Sequence, residues 1–303
     1  MIFEFEKTIN ERVNLPKTKG VELYVKREDQ IHAFVSGNKY RKLKYNLLEA
    51  EKTGYKTLLT FGGAFSNHIA AVASAGHLIG FKTIGVIRGD ELESKISENA
   101  TLNFAQENGM QFKFVSREIY RSKISESFLE SLKAEFGEFY VIPEGGTNEL
   151  AVKGCQEILY PEDFNFDYIC CSVGTGGTIS GLINSSQPSQ QVLGFPALKG
   201  NFLKEDISKF ATQTNWKLIS DYHFGGYAKI NDELVAFINQ FKSDYNLPLD
   251  PVYSGKMMFG ILDLIDKNYF PKGSKILAIH TGGLQGIEGM NAHLRKKNLS
   301  EII

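Results

Sequence analysis

A basic run near the N-terminus contains a lysine that could take part in chemistry. Lys39 lies in residues 36–43 (SGNKYRKL), and its basic neighbours along the chain are Arg41, Lys42 and Lys44. Taken alone, such a run is typical of the solvated face of a helix. A lysine amine can also attack an aldehyde and hold it covalently. Which interpretation applies to Lys39 depends on the motifs that follow it.

A glycine-rich turn follows a short apolar segment in the second half of the chain. Residues 172–181 read SVGTGGTISG. The residues of this turn that could contact a ligand are Gly174, Thr175, Gly176, Gly177 and Thr178. The glycines allow several backbone N–H groups to point towards one anion at the start of a helix, and the threonines can add hydroxyl donors. The pattern predicts a phosphate-binding loop, and the alternative is a strand-to-helix turn without a ligand.

Two nucleotide-binding motifs do not fit this turn. A Walker A loop requires Gly-Lys-Ser or Gly-Lys-Thr at its end, but Gly177 is followed by Thr178 and Ile179. A dinucleotide fingerprint requires glycine or alanine at position 179 and an acidic residue after the next strand. The chain has isoleucine at the first position and Phe-Pro-Ala at residues 195–197. The predicted phosphate therefore belongs to another kind of ligand.

A second glycine-containing turn opens an alanine-rich helix. Residues 62–68 read GGAFSNH, and either Ser66 or Asn67 could be the helix N-cap. In a parallel sheet, however, such a helix start faces the ligand crevice at the carboxyl ends of the strands. There Ser66 could reach a substrate and Asn67 could donate to a phenolate oxygen, while His68 could simply be a packed helix residue. Both interpretations remain open at this point.

Three further side chains lie in loops beside glycine. Thr281 follows an apolar segment in residues 280–283 (HTGG), so its hydroxyl could face the same crevice. Tyr227 and Tyr253 lie in HFGGYAK and DPVYSGK, although tyrosines in such loops more often pack than react. Together the motifs supply an amine, a neighbouring hydroxyl and a phosphate cradle. That combination is what pyridoxal 5′-phosphate requires of a protein.

Composition excludes several classes of protein. The 303 residues suit two domains, and 42% apolar and 23% charged residues are typical of a globular protein. A net charge of −1 gives no reason to expect nucleic acid or an anionic membrane as a partner. The apolar runs are too short to cross a bilayer, and no secretory signal is expected at the N-terminus. The histidine spacing predicts no metal site. Three cysteines, Cys155, Cys170 and Cys171, cannot all pair, so we expect reduced thiols in a cytoplasmic protein.

Short apolar runs alternate with longer helical stretches along most of the chain. The runs predict strands at residues 57–61, 82–88, 112–115, 139–142, 167–173, 191–195 and 275–280. Strands separated by helical crossovers predict an α/β fold with two domains, each built on an open, mainly parallel twisted sheet. Single helices are expected at residues 91–108, 122–136 and 151–159. The Gly-containing segment 143–147 (PEGGT) is the best candidate for a hinge.

Six motifs in a fixed order resemble one enzyme family. They are SGNKYRKL, GGAFSNH, IPEGGTNELAVKG, SVGTGGTISG, DPVYSGK and HTGG, and the match runs from about Lys26 to Met290. This order resembles the pyridoxal-phosphate enzymes grouped as 1-aminocyclopropane-1-carboxylate deaminase and D-cysteine desulfhydrase, which have the tryptophan synthase β-like fold (fold type II). The resemblance implies a large cofactor-binding domain from residues 1–42 and 151–303. It implies a small inserted domain from residues 43–150, and a homodimer.

The resemblance also implies roles for individual residues. Lys39 would be the Schiff-base lysine, Asn67 would contact the cofactor's O3′ and Ser66 would face the substrate. The phosphate would bind residues 174–178, and the pyridine nitrogen would face a polar residue at a strand end or loop, for which Thr281 is the candidate. Tyr227 and Tyr253 would be the two active-site tyrosines.

Three positions bear on the substrate that the resemblance implies. Deaminases of the family typically read PVYEGK and HLGG, whereas the desulfhydrases carry serine and threonine at the two variable positions. Ser254 and Thr281 therefore resemble a desulfhydrase and would place hydroxyls in the surroundings of the cofactor ring, although Phe65 stands where the family usually has glutamine. The implied reaction is β-elimination from a small amino acid such as D-cysteine, giving pyruvate, ammonia and sulfide. The alternatives are a 1-aminocyclopropane-1-carboxylate deaminase and a non-catalytic protein that binds the cofactor or an amino acid.

Overall fold

The computed structural model describes residues 8–16, 19–200 and 202–303. Its strands in chain order are β1 (Asn10–Val13), β2 (Glu22–Lys26), β3 (Thr57–Gly62), β4 (Lys82–Arg88), β5 (Met110–Val115), β6 (Tyr140–Ile142), β7 (Tyr168–Val173), β8 (Gln191–Pro196), β9 (Trp216–Leu218) and β10 (Lys275–Ile279). Two sheets form, with strand orders β1-β2-β10-β7-β8-β9 and β5-β4-β3-β6. Among these strands, only β1 and β2 pair in the antiparallel direction. The predicted α/β fold with mainly parallel sheets is confirmed.

Helices connect the parallel strands. The α-helices are α1 (Asn38–Lys52), α2 (Asn67–Ile79), α3 (Ala100–Glu107), α4 (Arg117–Arg121), α5 (Glu126–Phe136), α6 (Glu149–Cys155), α7 (Gly177–Ser185), α8 (Phe202–Ser208), α9 (Asp232–Tyr245), α10 (Ser254–Asp266) and α11 (Gly286–Lys296). The central strands are buried on both faces, as their continuous apolar sequences require in a parallel sheet. The helices cover those faces and place their N-termini at the carboxyl ends of the strands.

The predicted strands agree with the observed ones within two residues, but three helices were predicted as too long. The predicted helix 91–108 is a 3₁₀ segment, Asp90–Glu98, followed by α3. Asn99 separates the two because its side chain accepts a hydrogen bond from Leu102 N at 2.9 Å and so caps a new helix. Residues 122–136 contain only α5 beyond a short turn, and the stretch 151–159 tightens from α6 into the 3₁₀ segment Gln156–Ile158.

The chain forms the six-stranded sheet in two separate passes. β1 and β2 precede the four-stranded sheet in sequence, and β7 to β10 follow it. All four strands of the smaller sheet lie within residues 57–142. β1, β2 and β9 were absent from the sequence-based assignment because each is short and partly exposed. The domain boundaries given above, with 43–150 as an insertion, stay a prediction.

Several observations bear on the class of protein. The three cysteines are free and buried, and burial raises the pKa of the Cys155 thiol to about 11 and that of Cys171 to about 12. Such thiols stay protonated and unreactive at neutral pH. No helix in the described ranges is both long enough and apolar enough to cross a membrane. Those same ranges contain no group of three or more histidine, cysteine, aspartate or glutamate side chains that could hold a metal ion.

A buried ion pair fixes the start of α1. Arg41 donates two hydrogen bonds of 2.8 Å to the carboxylate of Glu28, and both side chains are almost completely buried. The backbone carbonyl of Glu28 also accepts from Gly37 N at 2.9 Å, directly before the helix. These contacts tie the loop after β2 to the first turn of α1. They therefore determine where Lys39, two residues before Arg41, is held.

We expect Arg41→Met to lower the free energy of unfolding by roughly 3–5 kcal/mol, because the Glu28 carboxylate would stay buried without its cation. Urea denaturation of the cofactor-free protein measures the change. Arg295→Met is the matched control, since Arg295 pairs with Glu301 on the surface. That variant should lose no more than about 1 kcal/mol. Equal losses in the two variants would contradict the role given to the buried pair.

Candidate active site

A cavity of about 580 Å³ lies between the two sheets. Its walls include residues at the carboxyl ends of β3, β4 and β7 and directly after β10. The first turns of α1, α2 and α7 also contribute to it. In open α/β folds, ligands bind at these strand ends, where helix N-termini and loops converge. This cavity is the candidate active site.

Lys39 lies at the beginning of α1 and lines the cavity. Its Nζ donates to Asn38 Oδ1 at 2.9 Å, and Asn38 Nδ2 donates to Thr178 Oγ1 at 2.8 Å. Burial, together with the positive charge of Lys42, lowers the pKa of Lys39 to about 7. A large fraction of the amine is therefore neutral near physiological pH and able to attack a carbonyl carbon.

A close backbone contact sets the position of this lysine relative to β10. Gly37 precedes α1 with a φ of +57°, and a methyl group on it would lie 2.1 Å from the Thr281 carbonyl oxygen. Only glycine allows this approach. The start of α1 is consequently pressed against the turn 280–283, which brings Lys39 and Thr281 to the same cavity.

The glycine-rich turn forms another wall of the cavity. Four of its five predicted ligand residues, Gly174, Thr175, Gly176 and Thr178, line the cavity. Gly176 is the N-cap of α7 with a φ of +85°, and a methyl group on it would lie 3.1 Å from Ile207 Cγ1. Gly177 does not line the cavity. The side-chain position there faces Thr147 instead, and a methyl group on Gly177 would lie 2.8 Å from Thr147 Oγ1. The left-handed residue and the helix start together form a cradle of the kind that binds phosphate.

Lys42 is a second buried lysine that the sequence interpretation missed. Its Nζ donates to the Gly145 carbonyl at 2.9 Å, to Thr147 Oγ1 at 3.0 Å and to Thr175 Oγ1 at 3.3 Å. Burial lowers its pKa. The spacing from Lys39 could have revealed it, because residues three apart share a helix face. Lys42 places a positive charge beside the glycine-rich turn, where a phosphate would need it.

The pair Ser66–Asn67 combines a helix start with a place in the cavity wall. Ser66 is the N-cap of α2, with its hydroxyl 3.4 Å from Ile69 N, and both residues line the cavity. Asn67 Oδ1 is buried and has no hydrogen-bond partner among the described residues. A buried amide oxygen without a partner is costly, so this end of the side chain indicates a ligand. His68 is buried with Nε2 2.8 Å from Thr60 Oγ1, and burial lowers its pKa well below the usual value.

The two predicted tyrosines meet in the cavity. The rings of Tyr227 and Tyr253 lie 6.3 Å apart at 64°, an edge-to-face contact. Burial raises the pKa of both phenols, so both stay protonated at neutral pH. Lys256, which the sequence interpretation also missed, donates from Nζ to the carbonyls of His223 (2.9 Å) and Gly226 (2.8 Å). It thereby ties the loop that carries Tyr227 to the helix that follows Tyr253.

A buried carboxylate also lines the cavity, and sequence reasoning did not single it out. Asp250 accepts hydrogen bonds from the backbone N–H groups of Val252, Tyr253 and Ser254 at 2.8–2.9 Å. It accepts a further bond from Ser254 Oγ at 2.8 Å. The four donors occupy its oxygens and fix the turn that holds Tyr253. Asp250 is therefore a structural carboxylate rather than a free base.

These contacts correct the interpretation of Ser254. Its hydroxyl was expected in the cofactor's surroundings, but Ser254 is fully buried behind Asp250 and does not line the cavity. Thr281 does line it, and its Oγ1 lies 3.3 Å from Ser172 Oγ. Only Thr281 of the two positions can contact a ligand directly. Ser254 acts through Asp250, to which its short side chain reaches.

Phe65 lies at the mouth of the cavity. Its side chain is 60% exposed, and a methyl group on Gly289 of α11 would lie 3.3 Å from its ring. The ring therefore contacts the C-terminal helix while still contributing to the cavity wall. A residue so placed can restrict what enters without contacting the amine of Lys39.

The cavity fits an aromatic aldehyde that carries a phosphate. It combines a partly neutral amine, a glycine cradle at a helix start and a buried amide oxygen without a partner. Residues 8–282 match the family model described as pyridoxal-phosphate dependent enzyme. The chain belongs to this family. Its cofactor is pyridoxal 5′-phosphate, as the motifs predicted.

Individual relatives agree with this assignment. The chain is 32% identical to the mitochondrial bifunctional D-cysteine desulfhydrase/1-aminocyclopropane-1-carboxylate deaminase of Arabidopsis thaliana, over 91% of this chain and 76% of the relative. It is 31% identical to a putative 1-aminocyclopropane-1-carboxylate deaminase of Pyrococcus abyssi, over 94% and 92%. A solved structure described as an ACC deaminase homologue superimposes with a TM-score of 0.81 at 28% identity, covering 96% of this chain and 92% of that one. The predicted family and fold type II are confirmed.

We expect Lys39 to be the residue that pyridoxal phosphate labels. Cofactor-free protein is incubated with the cofactor between about pH 5 and about pH 10, reduced with borohydride and mapped by peptide mass spectrometry. Because only the neutral amine reacts and its pKa is lowered to about 7, labelling should rise around pH 7 rather than near the usual lysine value.

Two lysine variants sharpen this measurement. Lys42→Met should move the midpoint of labelling to higher pH, since the charge of Lys42 helps to lower the pKa of Lys39. Lys44→Met is the control and should leave the midpoint unchanged, because Lys44 pairs with Glu157 outside the cavity. A label on any other lysine would refute the assignment.

We expect Gly176→Ala to weaken cofactor binding by about tenfold or more, because the side chain disfavours the left-handed backbone that shapes the cradle. Gly80→Ala is a matched control: Gly80 has a φ of +80° at the end of α2, with no neighbouring atom within 4 Å. Both variants should lose about 1–2 kcal/mol of stability from the left-handed backbone, and Gly176→Ala also places its methyl group 3.1 Å from Ile207 Cγ1. Cofactor titration should separate them, and equal cofactor affinity in the two proteins would count against the cradle.

Proposed function

We propose that this enzyme is a lyase that eliminates the β-substituent of a small amino acid such as D-cysteine. The overall reaction consumes D-cysteine and water and releases pyruvate, ammonia and sulfide. When bound, pyridoxal phosphate supplies an aldehyde for the substrate's amine and a conjugated ring that accepts electrons from Cα. The protein's own residues hold this group, orient the substrate and move protons.

Four parts of the cavity would hold the cofactor. Lys39 would bond to its aldehyde carbon, and the cradle 174–178 would bind its phosphate, with the ammonium of Lys42 behind Thr175. The Nδ2 group of Asn67 would donate to the ring oxygen, since its Oδ1 can only accept. This set would supply one covalent attachment, one anion site and a polar contact to the ring oxygen, which together would hold the group in position.

Proton transfer would depend on Lys39 and the hydroxyls near it. A lysine with a pKa lowered to about 7 can accept the Cα proton at neutral pH, where an ordinary lysine is charged. Ser66 at the start of α2 would face the substrate, beside backbone N–H groups that favour its carboxylate. Tyr227 and Tyr253 remain protonated and can donate hydrogen bonds to the departing sulfur.

The observation that carries the choice of substrate is the polar group at the end of β10. Thr281 lines the cavity with a neutral hydroxyl next to Ser172, and the nearby carboxylate of Asp250 is already occupied by four donors. A neutral hydroxyl beside the cofactor's ring nitrogen would leave that nitrogen largely unprotonated. A free carboxylate in the same place would raise the proton affinity of the nitrogen. The weaker electron acceptor suffices when the leaving group is as good as a thiolate.

A second candidate is 1-aminocyclopropane-1-carboxylate deamination. The relatives named above carry this activity in their descriptions, and one carries both activities. Opening an unactivated cyclopropane ring requires a stronger electron acceptor than thiolate loss does. The occupied state of Asp250 and the hydroxyl of Thr281 therefore favour the desulfhydrase reaction for this chain.

The cellular compartment, the oligomeric state and the partner of the enzyme are also inferences. Three buried free thiols support a reducing compartment, and we infer a cytoplasmic location. A homodimer is expected from the family resemblance, and light scattering of the purified protein measures it. The partner implied by the cavity is a small amino acid.

The decisive test is a substrate panel with cofactor-loaded protein. D-cysteine, L-cysteine and 1-aminocyclopropane-1-carboxylate are each assayed for keto acid, ammonia and, for the cysteines, sulfide. We expect sulfide and pyruvate in equal amounts from D-cysteine and little keto acid from the cyclopropane. Thr281→Leu is the informative variant, because it removes the hydroxyl but keeps an uncharged side chain. Turnover of the cyclopropane with D-cysteine ignored would overturn the proposal.

A further inference from the structure

An arginine beside the substrate loop has no part in the functions described so far. Arg88 is the last residue of β4 and lines the cavity. Strands β3 and β4 pair in parallel with Gly62 opposite Ile87, so Arg88 follows at the level of Gly63. A methyl group on Gly63 would lie 3.7 Å from Arg88 Nη2. The guanidinium is thus next to the turn that leads to Ser66.

No carboxylate in the described part of the chain lies within ion-pair distance of Arg88. Its guanidinium carbon is 5.7 Å from the centre of the Tyr120 ring, a cation–π contact. Such stacking uses the face of the guanidinium and leaves its N–H donors, which lie in the plane, available for an anion. An arginine that lines a cavity without an acidic partner is suited to bind a carboxylate or phosphate bidentately.

The charge balance of the cavity points in the same direction. Lys229 and Lys297 also line the cavity, and neither pairs with a carboxylate in the ranges that the structure describes. The two acidic residues of the lining are both occupied: Glu144 pairs with Lys123 at 3.1 Å, and Asp250 accepts four hydrogen bonds. The outer part of the cavity therefore carries basic side chains that form no ion pair with an acidic group in the described residues.

Other groups are assigned to the cofactor's phosphate and to the substrate's α-carboxylate. The phosphate cradle lies at the start of α7 with Lys42, and the α-carboxylate would lie at the start of α2 with Ser66. Arg88 belongs to neither set and comes from the end of β4, next to Gly63. It is therefore available to an anionic group beyond the amino-acid portion of a ligand.

We propose that Arg88 binds a second anionic group, carried on the β-substituent of the substrate. The inference rests on the proposed lyase function and narrows its substrate class to β-thio amino acids whose leaving group bears a carboxylate. With S-carboxymethylcysteine, the Cα proton is removed, the Cβ–sulfur bond breaks with its electron pair on sulfur, and one water is consumed. The products are pyruvate, ammonia and thioglycolate.

A pair of nearly isosteric substrates tests the role of this charge. S-carboxymethylcysteine is compared with its neutral amide, S-carbamoylmethylcysteine, each as the D and the L enantiomer. A charge-assisted hydrogen bond is worth enough to give the acid about a tenfold or greater advantage in kcat/KM. Arg88→Met should abolish that advantage through KM and leave the amide nearly unchanged, while Arg88→Lys should retain part of it.

The control variant is Arg121→Met, which removes the same charge from an exposed position of α4 that does not line the cavity. It should behave as wild type with both substrates. Equilibrium binding of the acid and the amide, followed through the absorption of the bound cofactor, provides a readout that does not require turnover. Arg88→Met should weaken binding of the acid alone.

The outcomes separate this inference from the proposed function. Equal kcat/KM and equal affinity for acid and amide in the wild-type enzyme would overturn the role of Arg88, while pyruvate release from D-cysteine would still support the lyase. A uniform loss with every amino acid in Arg88→Met would show that Arg88 binds the α-carboxylate, which also overturns the inference. If no substrate releases pyruvate, the lyase proposal fails, and the binding measurements alone decide the role of Arg88.

Discussion

Three segments that are far apart in sequence meet at the ammonium group of Lys42. This side chain extends from α1 and donates to the loop after β6 through Gly145 and Thr147, and to the glycine-rich turn through Thr175. A buried lysine costs free energy unless oxygen atoms surround it, and these three contacts offset that cost. The same charge lowers the pKa of Lys39. One buried cation thus couples the packing of the two sheets to the reactivity of the lysine beside it.

Glycine makes the remaining close contacts around this centre possible. The start of α1 approaches the turn after β10 so closely at Gly37 that no side chain fits. Between α1 and α6, a methyl group on Gly154 would lie 1.9 Å from the Arg41 carbonyl oxygen. Because the helices and turns approach at backbone distance, their dipoles and N–H groups converge on a small volume. This packing therefore brings the helix N-termini and the charged side chains to the same cavity.

The cavity also divides its polar groups between those that are occupied and those that are available. Asp250 has its oxygens occupied by the turn that carries Tyr253, and Lys256, which lies outside the cavity lining, donates to the loop that carries Tyr227. Asn67 Oδ1 has no partner among the described residues, and Arg88 has no acidic one there. The first pair builds the site, and the second pair is available to a ligand. This division explains why a carboxylate can line the cavity without acting as a base.

The sequence alone determined the family, the cofactor and the alternation of strands and helices. Those features depend on local patterns: apolar runs, glycines at turns and a lysine in a recognisable motif, each readable without knowing its distant neighbours. Helix ends were less certain, because a side-chain cap such as Asn99 can start a new helix inside a continuous amphipathic pattern. Only the tertiary structure decided that Ser254 bonds to Asp250 instead of facing the cavity and that Lys42 joins three segments. It alone also placed Arg88 beside the substrate loop. These facts depend on which strands and turns lie next to one another in space, and the spacing of residues along a chain does not encode that.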